Sequence, residues 1–306
     1  MPRFTKAERK KVKLRLMVTG VSGSGKTYGA LRIARGLGGR TAVIDTEHES
    51  SSLYANIFDF DSAPLHNHSP DDYIKAINDA VREGYDNVII DSLTHMWVWC
   101  KDEADRLSIK SFGGNVWAAW SKVTPQYNAL INCILQSDIN IIVTVRSKSE
   151  HVVKQMPNGK TKIEKIGLKT EMKAEAEFEF TTVINIDHET NGATSDKDRT
   201  GIFSGNGIIA VDENIGVALN EWMAQGISPY IDDAQLQTLI NMRNKITDQD
   251  ALQKVHARLP DFSKIKASDY ETVADELKVL IDWLDNRRLS AQTPITDEAN
   301  PSVGQD

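Results

Sequence analysis

Leu14-Arg15-Leu16-Met17-Val18-Thr19-Gly20-Val21-Ser22-Gly23-Ser24-Gly25-Lys26-Thr27-Tyr28 decides the fold of this 306-residue chain. Leu14–Thr19, apolar at most positions and ending in β-branched residues, has the pattern of a strand entering a Gly-rich turn. A helical pattern follows from Thr27 to Leu37 and stops at Gly38-Gly39. In that strand–loop–helix context, Gly20 to Thr27 fits G-x-x-x-x-G-K-[ST]. The glycines let backbone N–H groups wrap a phosphate, and the helix N-terminus adds the positive end of its dipole. The expected ATP-binding set is Gly20, Val21, Ser22, Gly23, Ser24, Gly25, Lys26, Thr27 and Tyr28. Lys26 reaches the β- and γ-phosphates, and the Thr27 hydroxyl ligates Mg²⁺.

Further along, Thr41–Asp45, Asn87–Asp91, Ile141–Val145 and Thr181–Ile186 are short apolar runs. Helix patterns at Pro70–Glu83 and Trp117–Ser137 separate them, the second expected to kink or restart at Pro125. Fully apolar strands alternating with helices predict an α/β fold, a mostly parallel sheet covered on both faces. After Gly226 the β-rich runs cease, and Asp232–Lys245, Asp248–Arg258 and Ser268–Arg287 have the pattern of three helices, the last capped by Ser268 with Glu271 three residues on. The expected division is a basic leader over 1–13, a nucleotide-binding core over 14–225, a small C-terminal helical region over 226–288 and a disordered acidic tail over 289–306.

Composition narrows the class. With 40% hydrophobic and 26% charged residues the chain is an ordinary globular one. No stretch approaches the ~20 apolar residues of a membrane span, and the polar leader lacks a signal-peptide core, so a cytoplasmic location and no membrane partner are expected. Two cysteines, Cys100 and Cys133, make neither a disulfide framework nor a zinc site and are expected as core residues.

Hydrolysis needs more than a phosphate loop. Asp91, ending the apolar run Val88-Ile89-Ile90, suits a metal-orienting carboxylate. Carboxyl ends of parallel strands converge on the ligand crevice, so Glu47, two residues past Asp45, can face the γ-phosphate as general base; Asp45 competes for that role. His48 is expected to orient its neighbours.

Ile44-Asp45-Thr46-Glu47-His48 after the phosphate-loop helix, with Val88-Ile89-Ile90-Asp91-Ser92 beyond it, resembles the ATPase core of RecA-type recombinases. The likeness runs from Leu14 to Gly205. The compact N-terminus, Lys197-Asp198-Arg199-Thr200-Gly201 and the helical C-terminus are similar to phage RecA-like ATPases of single-strand annealing recombination, in the AAA/RecA superfamily. The resemblance implies Mg²⁺-dependent, DNA-stimulated ATP hydrolysis with Glu47 as catalytic base, binding of single-stranded DNA, and a ring or filament of identical subunits in the cytoplasm of a bacterial host. Single-strand binding protein or other replication proteins would be its partners. Lys197 or Arg199 would reach the γ-phosphate of an adjacent subunit. Two departures stand out: only about 13 residues precede the first strand, and Arg146, Ser147 and Lys148 occupy the place where RecA carries a glutamine sensor. A nucleotide switch that loads replication proteins without processing DNA is the alternative, with a small-molecule kinase third.

Charge indicates where DNA would lie. The net charge is −7, yet residues 1–40 hold eleven bases and one acid, and residues 146–173 hold eight bases and three acids, leaving −22 on the rest. The second segment, expected as a loop or hairpin around Pro157-Asn158-Gly159, supplies the DNA-contact candidates Lys148, Lys154, Lys160, Lys162, Lys165 and Lys169. Ile109–Asn115, with Lys110 and Phe112, offers a second contact with an aromatic for base stacking. Trp97, Trp99, Trp117 and Trp120 are expected in the core. Arg3, Lys6, Arg9, Lys10, Lys11, Lys13 and Arg15 form either a further basic patch or a solvated leader.

Overall fold

The computed structural model describes residues 6–155, 161–203, 205, 207–228 and 230–292, with the side chains of 149–155, 161–168 and 289–292 outside the description. The chain divides into two compact units, Val12–Gln225 and a second formed by the residues up to Lys11 with those from Gly226 onward.

In the larger unit a strand, β1 (Arg15–Gly20), leads through the glycine loop into a helix, α1 (Lys26–Leu37). There follow β2 (Thr41–Asp45), β3 (Asp61–Pro64), α2 (Pro70–Arg82), β4 (Asn87–Asp91), α3 (Thr94–Ser111) and α4 (Val116–Gln136). The chain continues through β5 (Asn140–Gln155), β6 (Thr161–Thr170), β7 (Thr182–Ile186), β8 (Gly192–Asp198), β9 (Ile209–Ala210) and α5 (Glu213–Ala224). The sheet order is β3-β2-β4-β5-β1-β7-β8-β9. From β3 to β7 neighbours are parallel, and β8 and β9 close the edge antiparallel. This is the expected α/β architecture.

Period-two alternation assigns each apolar pair to opposite faces. Ile44, Ile90 and Val143 pack with Tyr73 and Ile77 of α2, Met96 of α3 and Val123 of α4. Their neighbours Val43, Ile89 and Ile142 pack with Ile33 of α1 and Leu219 of α5. Burial on both faces explains why these runs lack polar alternation. Cys100 is fully buried, and burial pushes its thiol up to about 12, leaving an inert core residue; Cys133 is half-buried.

Three local expectations are corrected. Of the kink or restart expected at Pro125, the restart is absent: α4 runs through the proline, because burial of Val123, Tyr127 and Leu130 outweighs the ~3 kcal/mol that an interior proline costs. Arg15 contributes to no basic patch. It is 6% exposed, its guanidinium donates to Leu14 O and Ile139 O (both 2.7 Å) and to the carbonyls of Leu135 and Ser137 at the end of α4, and burial lowers its pKa to about 10. Trp117 is 89% exposed, whereas Trp97, Trp99 and Trp120 pack against the core.

Helices α1 and α5 meet glycine to glycine. A Cβ on Gly36 would strike Glu213 O, and one on Gly216 would strike Ile33 O. Gly216→Ala is therefore expected to cost about 1–3 kcal/mol through overpacking, read as a lowered Tm. The same seam carries Glu213, whose carboxylate takes Arg32 Nη2 at 2.6 Å and pairs with Arg35. The Arg32 hydrogen bond, seconded by Arg35, holds Glu213 at about 2, against 4.5 ordinarily. A depressed carboxyl pKa stabilises the fold above the unfolded value and ceases to as pH falls through the folded one. The Tm gap between the native chain and Glu213→Gln should be full above pH 4.5 and close as pH approaches about 2.

The smaller unit holds α6 (Asp233–Asn244), α7 (Gln249–Arg258) and α8 (Tyr270–Gln292) around Leu239, Val255, Phe262 and Leu277. Asp232 and Gln235 form a reciprocal capping box on α6. Ser268 does not cap α8; it lies in a 3₁₀ turn, Ala267–Asp269, and α8 continues to Gln292, past the expected start of the tail at 289. Residues 293–306 lie outside the described residues. Arg9–Lys11 do not run free: Ile227 N donates to Arg9 O (2.9 Å), and Lys11 N to Ile227 O (2.8 Å).

Candidate functional site

The loop between β1 and α1 is built to take an anion. Gly23 and Gly25 have φ of +80° and +88°, a left-handed backbone that glycine adopts without strain. Helix α1 has no side-chain cap and no acid in its first turn, so its leading N–H groups keep their positive field for an external oxyanion. Lys26 Nζ is folded across the loop onto Val21 O at 2.8 Å, and Ser24 Oγ is buried with no partner among the described residues. Burial lowers the Lys26 pKa, opposed by the carboxylates of Asp91 and Glu47. A phosphate fits these donors.

Parallel β4, two strands from β1, brings Asp91 to the helix that leaves the loop. Thr27 Oγ1 donates to Asp91 Oδ2 at 2.5 Å, and Thr144 Oγ1 of β5 donates to Asp91 Oδ1. Burial pushes the Asp91 carboxyl above its ordinary value, while the two hydroxyls work against that. Donating its proton to Asp91 leaves the Thr27 oxygen lone pairs for a cation, so Thr27 and Asp91 are the residues that would hold Mg²⁺ beside the phosphates. Bound there, Mg²⁺ would neutralise phosphate charge. Thr144 was not foreseen, because its apolar-run context marks it only as a strand residue.

At the end of β2 two acids divide the work. Asp45, 1% exposed, accepts from Glu47 N (2.7 Å), Ser51 N (2.9 Å) and Ser51 Oγ (2.5 Å), so it shapes the turn. Glu47 remains part-exposed. Its Oε1 accepts from Arg146 Nη2 at 2.8 Å and Nε at 3.1 Å, a pairing that charge counts along the chain cannot reveal. Behind them, Thr46 Oγ1 accepts from Ser92 N (2.7 Å) and lies 2.7 Å from His95 Nδ1, whose ring stacks on His68. Desolvation lowers the pKa of both imidazoles.

A cavity of about 600 Å³ opens beside the phosphate loop, lined by Gly25, Tyr28, Arg32, Asn191, Ile209 and Val211 among others. Tyr28, the last residue of the expected ATP set, lines it while its ring packs edge-on against Tyr54 and Phe58.

The remaining candidates fall elsewhere. Lys197 sits opposite Val183, and Arg199 N donates to Thr181 O, at the start of β7. The phosphate loop follows the far end of parallel β1, so both cations lie roughly 10–15 Å along the strand from their own loop. Each bonds the Phe178 carbonyl. Of the lysine set, Lys148 and Lys169 are exposed and directly opposed across β5 and β6, with Lys148 paired to Glu171. Lys154 is the register partner of Lys162, and Lys165 that of His151; Lys160 lies outside the described residues. Ile109–Asn115 is only partly a loop, since α3 reaches Ser111, and Phe112 packs against the core. The exposed aromatic there is Trp117.

A glycine loop between strand and helix, with a hydroxyl and carboxylate meeting beside it, defines a P-loop nucleotide-binding protein. A family model for the AAA domain matches residues 12–209, more than half of the chain, which belongs to this family of P-loop ATPases. A search of the curated proteins found no match. Among the described residues, no helix is long and apolar enough to cross a membrane.

Proposed function

We propose that this chain is a Mg²⁺-dependent ATPase of RecA type that binds single-stranded DNA along the β5–β6 hairpin and promotes annealing in phage recombination as a homo-oligomer. One strand carries the reading. The first half of β5 pairs with β1 as far as Gly20↔Arg146, beside the phosphate loop, and the same strand then leaves the sheet to pair with β6 from Ser147 to Gln155. A lysine-rich ribbon thus grows directly out of the nucleotide site. Trp117, standing into solvent, offers a stacking face for a base. Lys197 and Arg199, remote from their own loop, suit a role toward the phosphates of a neighbouring subunit, which makes hydrolysis depend on assembly.

The test is ATP turnover with and without single-stranded DNA, alongside DNA binding and particle size with ATP, ADP or neither. Turnover should require Mg²⁺, rise with DNA, and increase per protomer with protein concentration until assembly is complete. Absence of binding to single strands at low salt overturns the DNA half. The ion pair that occupies Glu47 favours a second reading, a switch that loads replication proteins without turnover.

A further inference from the structure

We infer that Thr46, with His95 as its acceptor, is a positioning residue for Glu47: its hydroxyl bolts the end of β2 to the peptide that follows Asp91 and so sets where the base stands beside the phosphate site. The inference rests on the reading of Glu47 as the general base.

The register pairing of β2 with β4 ends at Asp45↔Asp91, one residue before Thr46. Beyond it Thr46 carries the link through its own backbone and side chain. Thr46 N donates to Asp91 O and Ser92 N donates to Thr46 Oγ1, both at 2.7 Å, so both polar groups of the Asp91–Ser92 peptide close on this residue. Glu47 comes next, its N–H taken by Asp45 Oδ1, and its place relative to Asp91 is therefore set through Thr46. The Thr46 hydroxyl has one proton and two acceptors in reach. Ser92 O, at 3.2 Å, already accepts from the buried Tyr73 hydroxyl at 3.1 Å, whereas His95 Nδ1 stands at 2.7 Å. The shorter contact assigns the proton to Nδ1, which leaves the imidazole's own proton on Nε2. His95 is fixed in turn by its stack on His68, with 5.1 Å between ring centroids, and desolvation lowers its pKa, keeping Nδ1 free to accept. Thr46 itself is buried, which shields these bonds from competing water.

The experiment compares steady-state ATP turnover, ATP affinity and Tm of the full chain with those of Thr46→Val, Thr46→Ser, His95→Leu, His95→Asn, Glu47→Gln and the Thr46→Val/Glu47→Gln pair, and records the imidazole ¹⁵N spectrum without nucleotide. Thr46→Val should lower kcat about 10–100-fold with KM within about twofold, since a reacting group displaced by ~1 Å loses that much. Thr46→Ser, which keeps the hydroxyl, should stay within about threefold of the native kcat. His95→Leu should lose about three- to tenfold and His95→Asn recover it, its amide oxygen standing in for Nδ1. In the Glu47→Gln background Thr46→Val should cost nothing further, because the base it positions is gone. The spectrum should show His95 protonated on Nε2. An equal kcat loss from Thr46→Val in both backgrounds, a loss confined to KM, or a native His95 protonated on Nδ1 overturns the positioning role while leaving the base intact. If Thr46→Val does not fold, the His95 pair and the spectrum decide. Undiminished turnover in Glu47→Gln overturns the base, and the positioning role with it.

Discussion

Glu47→Gln is expected to lower ATP turnover by about 10²–10⁴-fold while ATP still binds, the loss typical of removing a general base. The substitution keeps the size of the side chain but removes its charge, and the amide cannot take a proton from water. Folding should be little affected, because Glu47 is part-exposed and the turn is held by Asp45 through its bonds to Ser51 and Glu47 N. Steady-state phosphate release reads the effect, with nucleotide affinity and Tm measured alongside. Turnover unchanged in this variant removes Glu47 from the base role and moves the protein toward the switch that loads other proteins.

The next largest effect belongs to the ribbon. If the six lysines 148, 154, 160, 162, 165 and 169 each neutralise a phosphate, log affinity for single strands should fall against log salt with a slope of about −4, from ~0.7 per contact. Between 50 and 200 mM salt that amounts to a loss of roughly 10²–10³-fold. Replacing all six by alanine should flatten the slope and weaken low-salt binding by a comparable factor. Because the ribbon leaves the sheet after Arg146, outside the packed strands, ATP binding should survive. A slope as steep as the native one after substitution sends the DNA to another surface.

Several elements could be read from residues alone because local chemistry specifies them. The phosphate loop needs glycine where φ is positive, lysine at its end and a strand before it, and each requirement leaves a letter in the sequence. The strands β2 and β4 were legible to the residue, since burial on both faces leaves three consecutive apolar residues between their polar ends. Other features left no such trace. Thr144 and Thr46 resemble any β-branched strand residue until neighbouring strands carry them to Asp91 and Ser92. Arg15 resembles its exposed neighbours Arg9 and Lys13 until the last carbonyls of α4 close over it. Trp117 resembles Trp97 until the start of α4 leaves one indole in solvent and the contact of α3 with α4 half-buries the other against the core.

Sequence by itself determined the α/β class, the nucleotide loop and the identity of the acids, because backbone conformation, side-chain period and phosphate chemistry act over a few consecutive residues. Only the tertiary structure decided what those acids touch. Glu47 and Arg146 are 99 residues apart and meet across strand ends, Thr27 and Asp91 are 64 apart and meet at 2.5 Å, and Lys197 and Arg199 lie at the opposite end of β7 from the loop. Strand order and direction set those distances, and they follow from how the sheet is crossed rather than from any run of neighbouring residues.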